Sequence, residues 1–168
     1  MNTLQSFPPV VDQQTRILIL GSMPGRVSLS ETQYYAHPRN GFWHIMGQII
    51  GASFELDYER RLQILLANRI GLWDVIASCT RASSLDTDID DSSIISNDFR
   101  SLLTYYPSIE QIFFNGTKAE QTFKRYVIPS LDTLLDHIRV KRLISTSPAN
   151  ARYSLEEKID VWRTHLCR

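Results

Sequence analysis

The hydrophobic residues of this chain fall into short uninterrupted runs and into helically spaced sets. The clearest run, Ile17-Leu18-Ile19-Leu20, ends at Gly21 and predicts a strand that is buried on both faces of a parallel sheet. Three further runs, at residues 70–76, 111–115 and 140–145, are also apolar and bounded by turn residues. Helix-length segments separate the four runs, so their order predicts an α/β fold.

Helical spacing of apolar side chains is clearest in residues 41–50 and 58–67. Helices are also predicted for residues 97–106, where an N-cap precedes the helix and Pro107 ends it, and for residues 117–127. A last helix opens at Ser154 with a capping-box pattern and runs to about residue 166. These helices supply the connections that parallel strands need.

The polar stretch at residues 78–96 is predicted to be a long surface loop. Its four aspartates indicate a solvated acidic face: Asp86, Asp88, Asp90 and Asp91. Their spacing is similar to that of a calcium-binding loop, but the glycine that an EF-hand needs at its sixth position is absent. We therefore expect no calcium site there.

The composition is that of one globular domain, predicted to cover residues 1–168, with 43% hydrophobic and 21% charged residues. Two distant cysteines, Cys79 and Cys167, form no zinc or iron–sulfur motif. The N-terminus lacks a basic start with an apolar core, and no apolar run approaches the length of a membrane span. We expect a soluble, cytoplasmic, monomeric protein with reduced cysteines.

The formal net charge is zero, with 18 basic and 18 acidic side chains, so no overall field attracts the protein to nucleic acid or to an anionic membrane. The charges are unevenly distributed along the chain. Residues 1–116 hold eight basic and twelve acidic side chains, and residues 117–168 hold ten basic and six acidic ones. The C-terminal third is therefore electropositive.

Three unusual segments each follow a predicted strand. They are Gly-Ser-Met-Pro-Gly at residues 21–25, Asn-Gly at residues 115–116, and Ser-Thr-Ser-Pro-Ala-Asn-Ala-Arg at residues 145–152. Each one alone could be merely a turn. In an open α/β sheet, however, ligands bind outside the carboxyl ends of the strands, where these segments meet. The first segment is neither a Walker loop nor a GxGxxG motif, which disfavours a nucleotide-binding protein.

Residues 34–43 hold four aromatic side chains together with a histidine, an arginine and an asparagine, which predicts the wall of a pocket. Phe42 and Trp43 also suit the core of the following helix, and either Tyr34 or Tyr35 suits half-buried packing. One tyrosine remains free to stack on a planar ligand. His37 and His44 lack further ligands, so we expect no metal.

Three segments together resemble a known family: residues 21–25, residues 35–43 (Tyr-Ala-His-Pro-Arg-Asn-Gly-Phe-Trp) and residues 145–151. They are similar to the uracil-DNA glycosylase superfamily, and within it most similar to the hypoxanthine-DNA (deoxyinosine) glycosylases. Residues 36–43 are also close to the mismatch-specific uracil/thymine branch. The resemblance spans about residues 16–166, and the ordered set of three motifs is more specific than any one of them.

The resemblance implies a three-layer α/β/α sandwich around a four-stranded, mainly parallel sheet, with DNA lying across the strand carboxyl ends. It also implies monofunctional hydrolysis of the N-glycosidic bond of deoxyinosine in DNA, with extrusion of the damaged nucleoside. No cofactor is implied. The first two motifs hold no lysine, which disfavours a Schiff-base lyase.

The resemblance also implies roles for residues of the first two motifs. Many relatives orient the water with an acidic or amide residue where this chain has Met23. The hypoxanthine branch uses an asparagine that matches Asn40, whose alternative role is a helix cap. Tyr35 aligns with the aromatic residue that stacks on the flipped base. The backbone amides of Ser22 and Met23 would bind an exocyclic oxygen.

Asp74, at the end of the second predicted strand, aligns near an amide that reads the base edge in relatives. An ionised carboxylate there would favour a base that presents an N–H, such as hypoxanthine. A turn or cap role is the alternative.

The third motif corresponds to the loop that enters DNA at the lesion. Its expected DNA-binding residues are Ser145, Ser147, Ala149, Asn150 and Arg152, and Lys141 and Arg142 add nearby charge. Either Ala149 or Asn150 would fill the gap left by the base. Relatives that depend on histidine have it where this chain has Ser145, which predicts weak activity on uracil.

Two alternatives to the deoxyinosine glycosylase remain open. One is a uracil-DNA glycosylase that acts on mismatched deoxyuridine. The other is a DNA protein of the same fold that binds lesions without cleaving them, which Asn40 argues against.

Overall fold

A four-stranded parallel sheet forms the centre of the computed structural model, which describes residues 2–167. The ends of the predicted domain, Met1 and Arg168, lie outside these residues. The strands are β1 (Leu4–Gln5), β2 (Ile17–Gly21), β3 (Ile70–Asp74), β4 (Ile76–Cys79), β5 (Ile95–Ser96), β6 (Gln111–Asn115) and β7 (Arg139–Leu143). The α-helices are α1 (Arg26–Glu31), α2 (Phe42–Ile50), α3 (Tyr58–Ala67), α4 (Phe99–Tyr105), α5 (Thr117–Thr122) and α6 (Leu155–Leu166).

The central sheet has the order β3-β2-β6-β7, and its strand pairs are all parallel. Side chains of β2 alternate between two cores. Leu18 and Leu20 pack on one face with Phe99 of α4, and Ile19 packs on the other face with Trp43 of α2 and Trp162 of α6. The predicted α/β/α sandwich around a four-stranded sheet is confirmed. None of the helices in residues 2–167 combines the length and hydrophobicity needed to span a membrane.

The second and fourth predicted strands have different limits in the structure. The second ends at Asp74; the N–H of Val75 still donates to the carbonyl of Gly21, and the chain then leaves the central sheet. It continues as β4 in a small antiparallel sheet, β1-β4-β5, which the sequence did not predict. The fourth strand covers Arg139–Leu143 and is an exposed edge strand, whose first four residues face solvent.

Two predicted helices are also corrected. The helix predicted from residue 97 begins at Phe99, and its cap is Asp98, whose Oδ1 accepts from the Ser101 N–H at 3.0 Å. Asn97 instead donates to the carbonyl of Asp74. The helix predicted for residues 117–127 is α5 followed by a π turn at Phe123–Val127. The helix α1 was not predicted.

The four aspartates of residues 78–96 are exposed, as the sequence predicts, but the segment is more ordered than the predicted loop. The segment forms two 3₁₀ turns, Asp86–Asp88 and Asp91–Ser93, and ends in β5. Asp86 accepts a hydrogen bond from the Ser22 hydroxyl at 2.6 Å, and Asp91 forms an ion pair with Lys118 at 2.6 Å. These carboxylates hold the segment against the first motif and against α5.

Candidate active site

Thr146 joins the ends of two strands to the second motif. Its N–H donates to Oδ1 of Asn115 at 2.9 Å, and Nδ2 of Asn115 donates to its hydroxyl oxygen, also at 2.9 Å. The hydroxyl then donates to Oδ1 of Asn40 at 2.8 Å. The Thr146 carbonyl accepts from the Gly41 N–H at 2.9 Å. Because Thr146 is only 1% exposed, these bonds form a buried connection between the motifs.

Asn40 is half-buried immediately before α2. Its Oδ1 accepts from the N–H of Phe42 at 3.0 Å as well as from Thr146. The N-cap of α2 is Gly41 rather than Asn40, although the Asn40 side chain does bind the first N–H of the helix. Two donors already occupy this oxygen. A water could therefore reach Oδ1 only by sharing it with one of these donors. The predicted role of Asn40 in orienting water stays a prediction.

The two tyrosines of the second motif have different environments. Tyr34 is 3% exposed and its hydroxyl donates to the Pro8 carbonyl at 2.8 Å, so it belongs to the core, as do Phe42 and Trp43. Tyr35 has a positive φ of 56° and stacks on Phe42 with 4.1 Å between ring centroids. Its half-buried ring is the one left to meet a base.

The hydroxyl of Tyr35 is buried without a hydrogen-bond partner among residues 2–167. Burial raises the pKa of this phenol, so it remains a proton donor. A left-handed backbone conformation costs free energy at a non-glycine residue, and residues of this kind cluster at functional sites. Both observations are compatible with the predicted stacking role.

Asp74 is buried at the carboxyl end of β3, beside the first motif. It is 3% exposed, and its Oδ2 has no hydrogen-bond partner among the described residues. A Cβ on Gly21, its register partner, would lie only 2.5 Å from Oδ1. Burial, together with the charge of Asp86, raises the pKa of Asp74 to about 7. The side chain caps no helix, and near neutral pH part of the population carries a proton that it can donate.

The first motif offers backbone donors rather than side chains. The carbonyls of Gly21 and Ser22 accept from Val75 and Ile76, while the N–H groups of Ser22 and Met23 have no backbone acceptor among residues 2–167. The Ser22 hydroxyl is used by Asp86. The Met23 side chain is 7% exposed and packs in a small apolar cluster with Ile76. The side chains of Ser22 and Met23 are therefore occupied, and their backbone N–H groups are the donors left for a ligand.

The third motif is folded by its own serines. The hydroxyl of Ser145 accepts from the Ser147 N–H at 3.1 Å, and the hydroxyl of Ser147 accepts from the Ala149 N–H at 3.2 Å. Asn150 donates to the Ser145 carbonyl at 3.1 Å. Ala149 stands exposed at the tip of the loop. Turning the serine hydroxyls inward gives the loop a defined shape.

The basic residues near this loop differ in how exposed they are and in whether a carboxylate neutralises their charge. Arg152 is exposed, with its guanidinium 5.8 Å from the Tyr153 ring. Arg142 lies 3.5 Å from the carboxylate of Glu120, so its charge is partly neutralised. Lys141 is exposed on the edge strand β7.

Sequence reasoning missed the roles of Thr146, Asp86 and Arg81. Arg81 is 6% exposed and donates to the Pro24 carbonyl at 2.6 Å, which helps to fix the first motif. The position of Thr146 within the third motif was a usable signal, whereas nothing local marked Asp86 or Arg81. Within residues 2–167, no group of three or more His, Cys, Asp or Glu side chains is placed to hold a metal ion.

The fold and the site define an α/β protein whose three motifs meet at the carboxyl edge of a parallel sheet. The family model of the Uracil DNA glycosylase superfamily matches residues 8–165. The chain belongs to this superfamily.

Individual relatives agree with this assignment. The chain is 42% identical over 159 residues to a hypoxanthine DNA glycosylase of Methanosarcina barkeri, with 94% of each chain covered. It is 40% identical over 153 residues to a hypoxanthine DNA glycosylase of Methanosarcina acetivorans, covering 89% of this chain and 90% of the relative. A solution NMR structure of a Methanosarcina acetivorans protein, provisionally assigned as a uracil DNA glycosylase, superposes with a TM-score of 0.76 at 39% identity, covering 99% of this chain and 100% of that one.

Proposed function

We propose that this chain is a monofunctional DNA glycosylase that hydrolyses the N-glycosidic bond of deoxyinosine, releasing hypoxanthine and leaving an abasic site. The observation that carries this proposal is the identity of 40–42% with two hypoxanthine DNA glycosylases over about nine tenths of the chain. The hydrogen bonds of Thr146 to Asn40 and Asn115 support it, because they hold the second and third motifs together at one site.

The first motif and Asp74 suit a base whose edge carries a keto oxygen beside an N–H. The N–H groups of Ser22 and Met23 would donate to the oxygen, and the unpaired Oδ2 of Asp74 would accept from the ring N–H. Hypoxanthine has this edge, whereas adenine presents an amino group and a bare ring nitrogen. The proposed pocket therefore favours the deaminated base over its parent.

In the proposed reaction, the oxygen of a water bonds to C1′ of the sugar while the C1′–N9 bond breaks and its electron pair leaves with the base. The water loses one proton to solvent, and the departing base takes up one proton from solvent. Asn40 is a neutral amide and cannot take up the proton of the water, so its role is to orient the water. Thr146 fixes the orientation of the Asn40 amide for this purpose. The N–H groups of Ser22 and Met23 would stabilise the keto oxygen as the base gains negative charge, because Ser145 stands where relatives have a histidine.

The tip of the third motif is proposed to fill the gap left by the flipped base. Of the two candidates, Ala149 is exposed, whereas the amide of Asn150 is bound to the Ser145 carbonyl. Ala149 can therefore enter the duplex without breaking a hydrogen bond inside the loop. Ser145, Ser147, Asn150 and Arg152 remain the proposed contacts to the DNA backbone.

A single-turnover assay tests the proposal. Oligonucleotides that carry one inosine, one uracil or neither are incubated with the parent protein, Asn40→Ala and Asn40→Asp, and abasic sites are then cut with alkali. We expect cutting at inosine by the parent, dependence on alkali, and loss of activity in Asn40→Ala. The aspartate variant keeps acceptors for Phe42 and Thr146. It therefore shows whether a loss of activity in Asn40→Ala comes from a disturbed fold or from the loss of the group that orients the water.

Uracil is the second candidate substrate, because it presents the same keto and N–H edge as hypoxanthine. Cutting of uracil alone would move the protein to another branch of the superfamily. Tight binding of both lesions without cutting of either would favour the lesion-binding alternative.

The proposal includes a monomer in the cytoplasm. Both cysteines are free, with Cys79 buried and Cys167 exposed, which suits a reducing compartment. Sedimentation of the protein with and without DNA would test the monomeric state.

A further inference from the structure

A groove lies beside the candidate active site, between the second motif, the third motif and the start of α6. This groove has a volume of about 350 Å³. Arg39 lines it from the second motif, His44 from α2, Asn150 from the third motif and Lys158 from α6, and no carboxylate is among its lining residues. The groove is therefore cationic although the whole chain has no net charge.

Lys158 is the unusual residue of this groove. It is only 6% exposed, and its Nζ donates to the Ser147 carbonyl at 3.2 Å. Among residues 2–167, no carboxylate lies within ion-pairing distance of it. The nearby Glu157 is directed to the backbone N–H of Ser154 by the capping box. Burial lowers the pKa of the Lys158 ammonium.

A buried charge without a partner costs free energy, so proteins pair such groups with an opposite charge. The ammonium of Lys158 has three hydrogens, and the protein accepts one of them. The remaining donors, with the guanidinium of Arg39, suit an anion with several acceptor oxygens. A phosphodiester has these oxygens and one negative charge.

We infer that this groove binds a backbone phosphate of the DNA strand that carries the flipped nucleotide, with Lys158 as the central contact. The inference rests on the proposed function, because it places the DNA strand across the motifs. The groove lies next to the candidate active site, since the Gly41 N–H in its wall donates to the Thr146 carbonyl. A phosphate held here would also hold the third motif through the bond from Lys158 to Ser147.

The test compares DNA binding by the parent, Lys158→Met, Lys158→Arg and the control Lys124→Met across a range of salt concentrations. Methionine keeps much of the apolar stem of lysine and removes the charge. Lys124 serves as the control because it is 58% exposed, pairs with Glu120 and is not among the residues that line the groove. It follows α5, which packs through Ala119 on one face of the sheet, whereas α6 packs through Trp162 on the other face. Thermal unfolding of each variant checks that it is folded.

We expect Lys158→Met to weaken binding about tenfold and to lower the slope of log Kobs against log salt by about 0.9, the amount for one released counterion. Lys158→Arg should keep the slope of the parent, and Lys124→Met should leave it unchanged. An unchanged slope in folded Lys158→Met would overturn the inference.

Neutral methylphosphonate linkages, placed one at a time around the inosine, identify the contacted phosphate. At one position the linkage should weaken binding by the parent about tenfold and have little further effect on Lys158→Met. If no position behaves in this way, Lys158 acts through the loop or on a free anion, and the phosphate site is wrong.

Cleavage of inosine by the parent is measured in parallel. If the parent does not cleave inosine but the slope and linkage results hold, the phosphate site stands and the proposed function fails. If the parent cleaves inosine and Lys158→Met keeps the parent slope, the proposed function stands and the phosphate site fails.

Discussion

The hydroxyl of Thr146 donates a 2.8 Å hydrogen bond to Oδ1 of Asn40, although 106 positions of the chain separate the two residues. The same hydroxyl accepts from Nδ2 of Asn115, so its proton is directed toward Asn40. This arrangement fixes the orientation of the Asn40 amide, because Oδ1 must face both Thr146 and the N–H of Phe42. Thr146 is therefore a positioning residue for the proposed water site.

Thr146→Val should lower the single-turnover rate on inosine about tenfold or more, equivalent to about 1.4 kcal/mol of transition-state stabilisation. Valine has a similar shape but cannot direct Oδ1 of Asn40. Thr146→Ser should recover most of the rate, and affinity for undamaged DNA should change little in either variant. Equal rates for folded valine and serine variants would contradict the positioning role.

Gly21→Ala should destabilise the protein by about 1–3 kcal/mol, because its Cβ would overpack the site. That atom would lie 2.5 Å from Oδ1 of Asp74 and 3.1 Å from the Tyr35 hydroxyl. Urea unfolding of Gly21→Ala, Asp74→Ala and the double variant forms a mutant cycle. The double variant should lose less stability than the sum of the single changes. If the losses of stability in the two single variants simply add, the close contact between the added Cβ and Asp74 is relieved in another way.

The pKa of Asp74 predicts how stability depends on pH. Its pKa is raised to about 7 in the folded protein, from the usual 3.8. Between these values the folded state binds more protons than the unfolded state, so the contribution of Asp74 to the free energy of unfolding falls as pH rises. This contribution is fully present below about pH 4 and is lost as the pH rises through about 7.

Asp74→Asn should remove this dependence. The stability of the parent relative to the variant should decline between pH 4.5 and 8, by at most about 4 kcal/mol for a shift of this size. Unfolding in urea at several pH values measures the difference. A constant difference across this range would mean that Asp74 titrates near its usual value.

Met23→Asn should destabilise the protein by about 2 kcal/mol or more, because it places an amide in an apolar cluster. The Met23 side chain packs with Ile76, Cys79 and Ile89, and it is the Met23 backbone that can reach a ligand. For a chain of this size, the expected decrease in Tm is about 4–8 °C. Met23→Leu should be nearly neutral. A gain of uracil activity in Met23→Asn would show that this position can reach the base.

The central sheet could be predicted from the sequence because parallel strands buried on both faces appear as uninterrupted apolar runs. Residues 17–20 and 111–115 show this pattern, and both lie in the central sheet. The meeting of the motifs also followed from the sequence, because the carboxyl ends of parallel strands share one edge. The limits of the edge strand β7 were harder to predict because its first four residues are exposed, and the small antiparallel sheet was missed because two of its three strands have only two residues.

Only the tertiary structure decided which side chains are buried in the core and which remain available to a ligand. Tyr34 and Tyr35 are adjacent and chemically identical, yet one is buried against Pro8 and the other lies beside Gly21. In the same way, the partner of Asp86 is 64 positions away, and the burial of Lys158 depends on contacts from the third motif.

The sequence determined the alternation of strands and helices, because local patterns of burial repeat with the period of each element. It also determined where the three motifs meet. The tertiary structure decided the hydrogen bonds of Asn40, the protonation of Asp74 and the isolation of the Lys158 charge. These depend on packing between distant segments, and the local order of residues does not encode that packing.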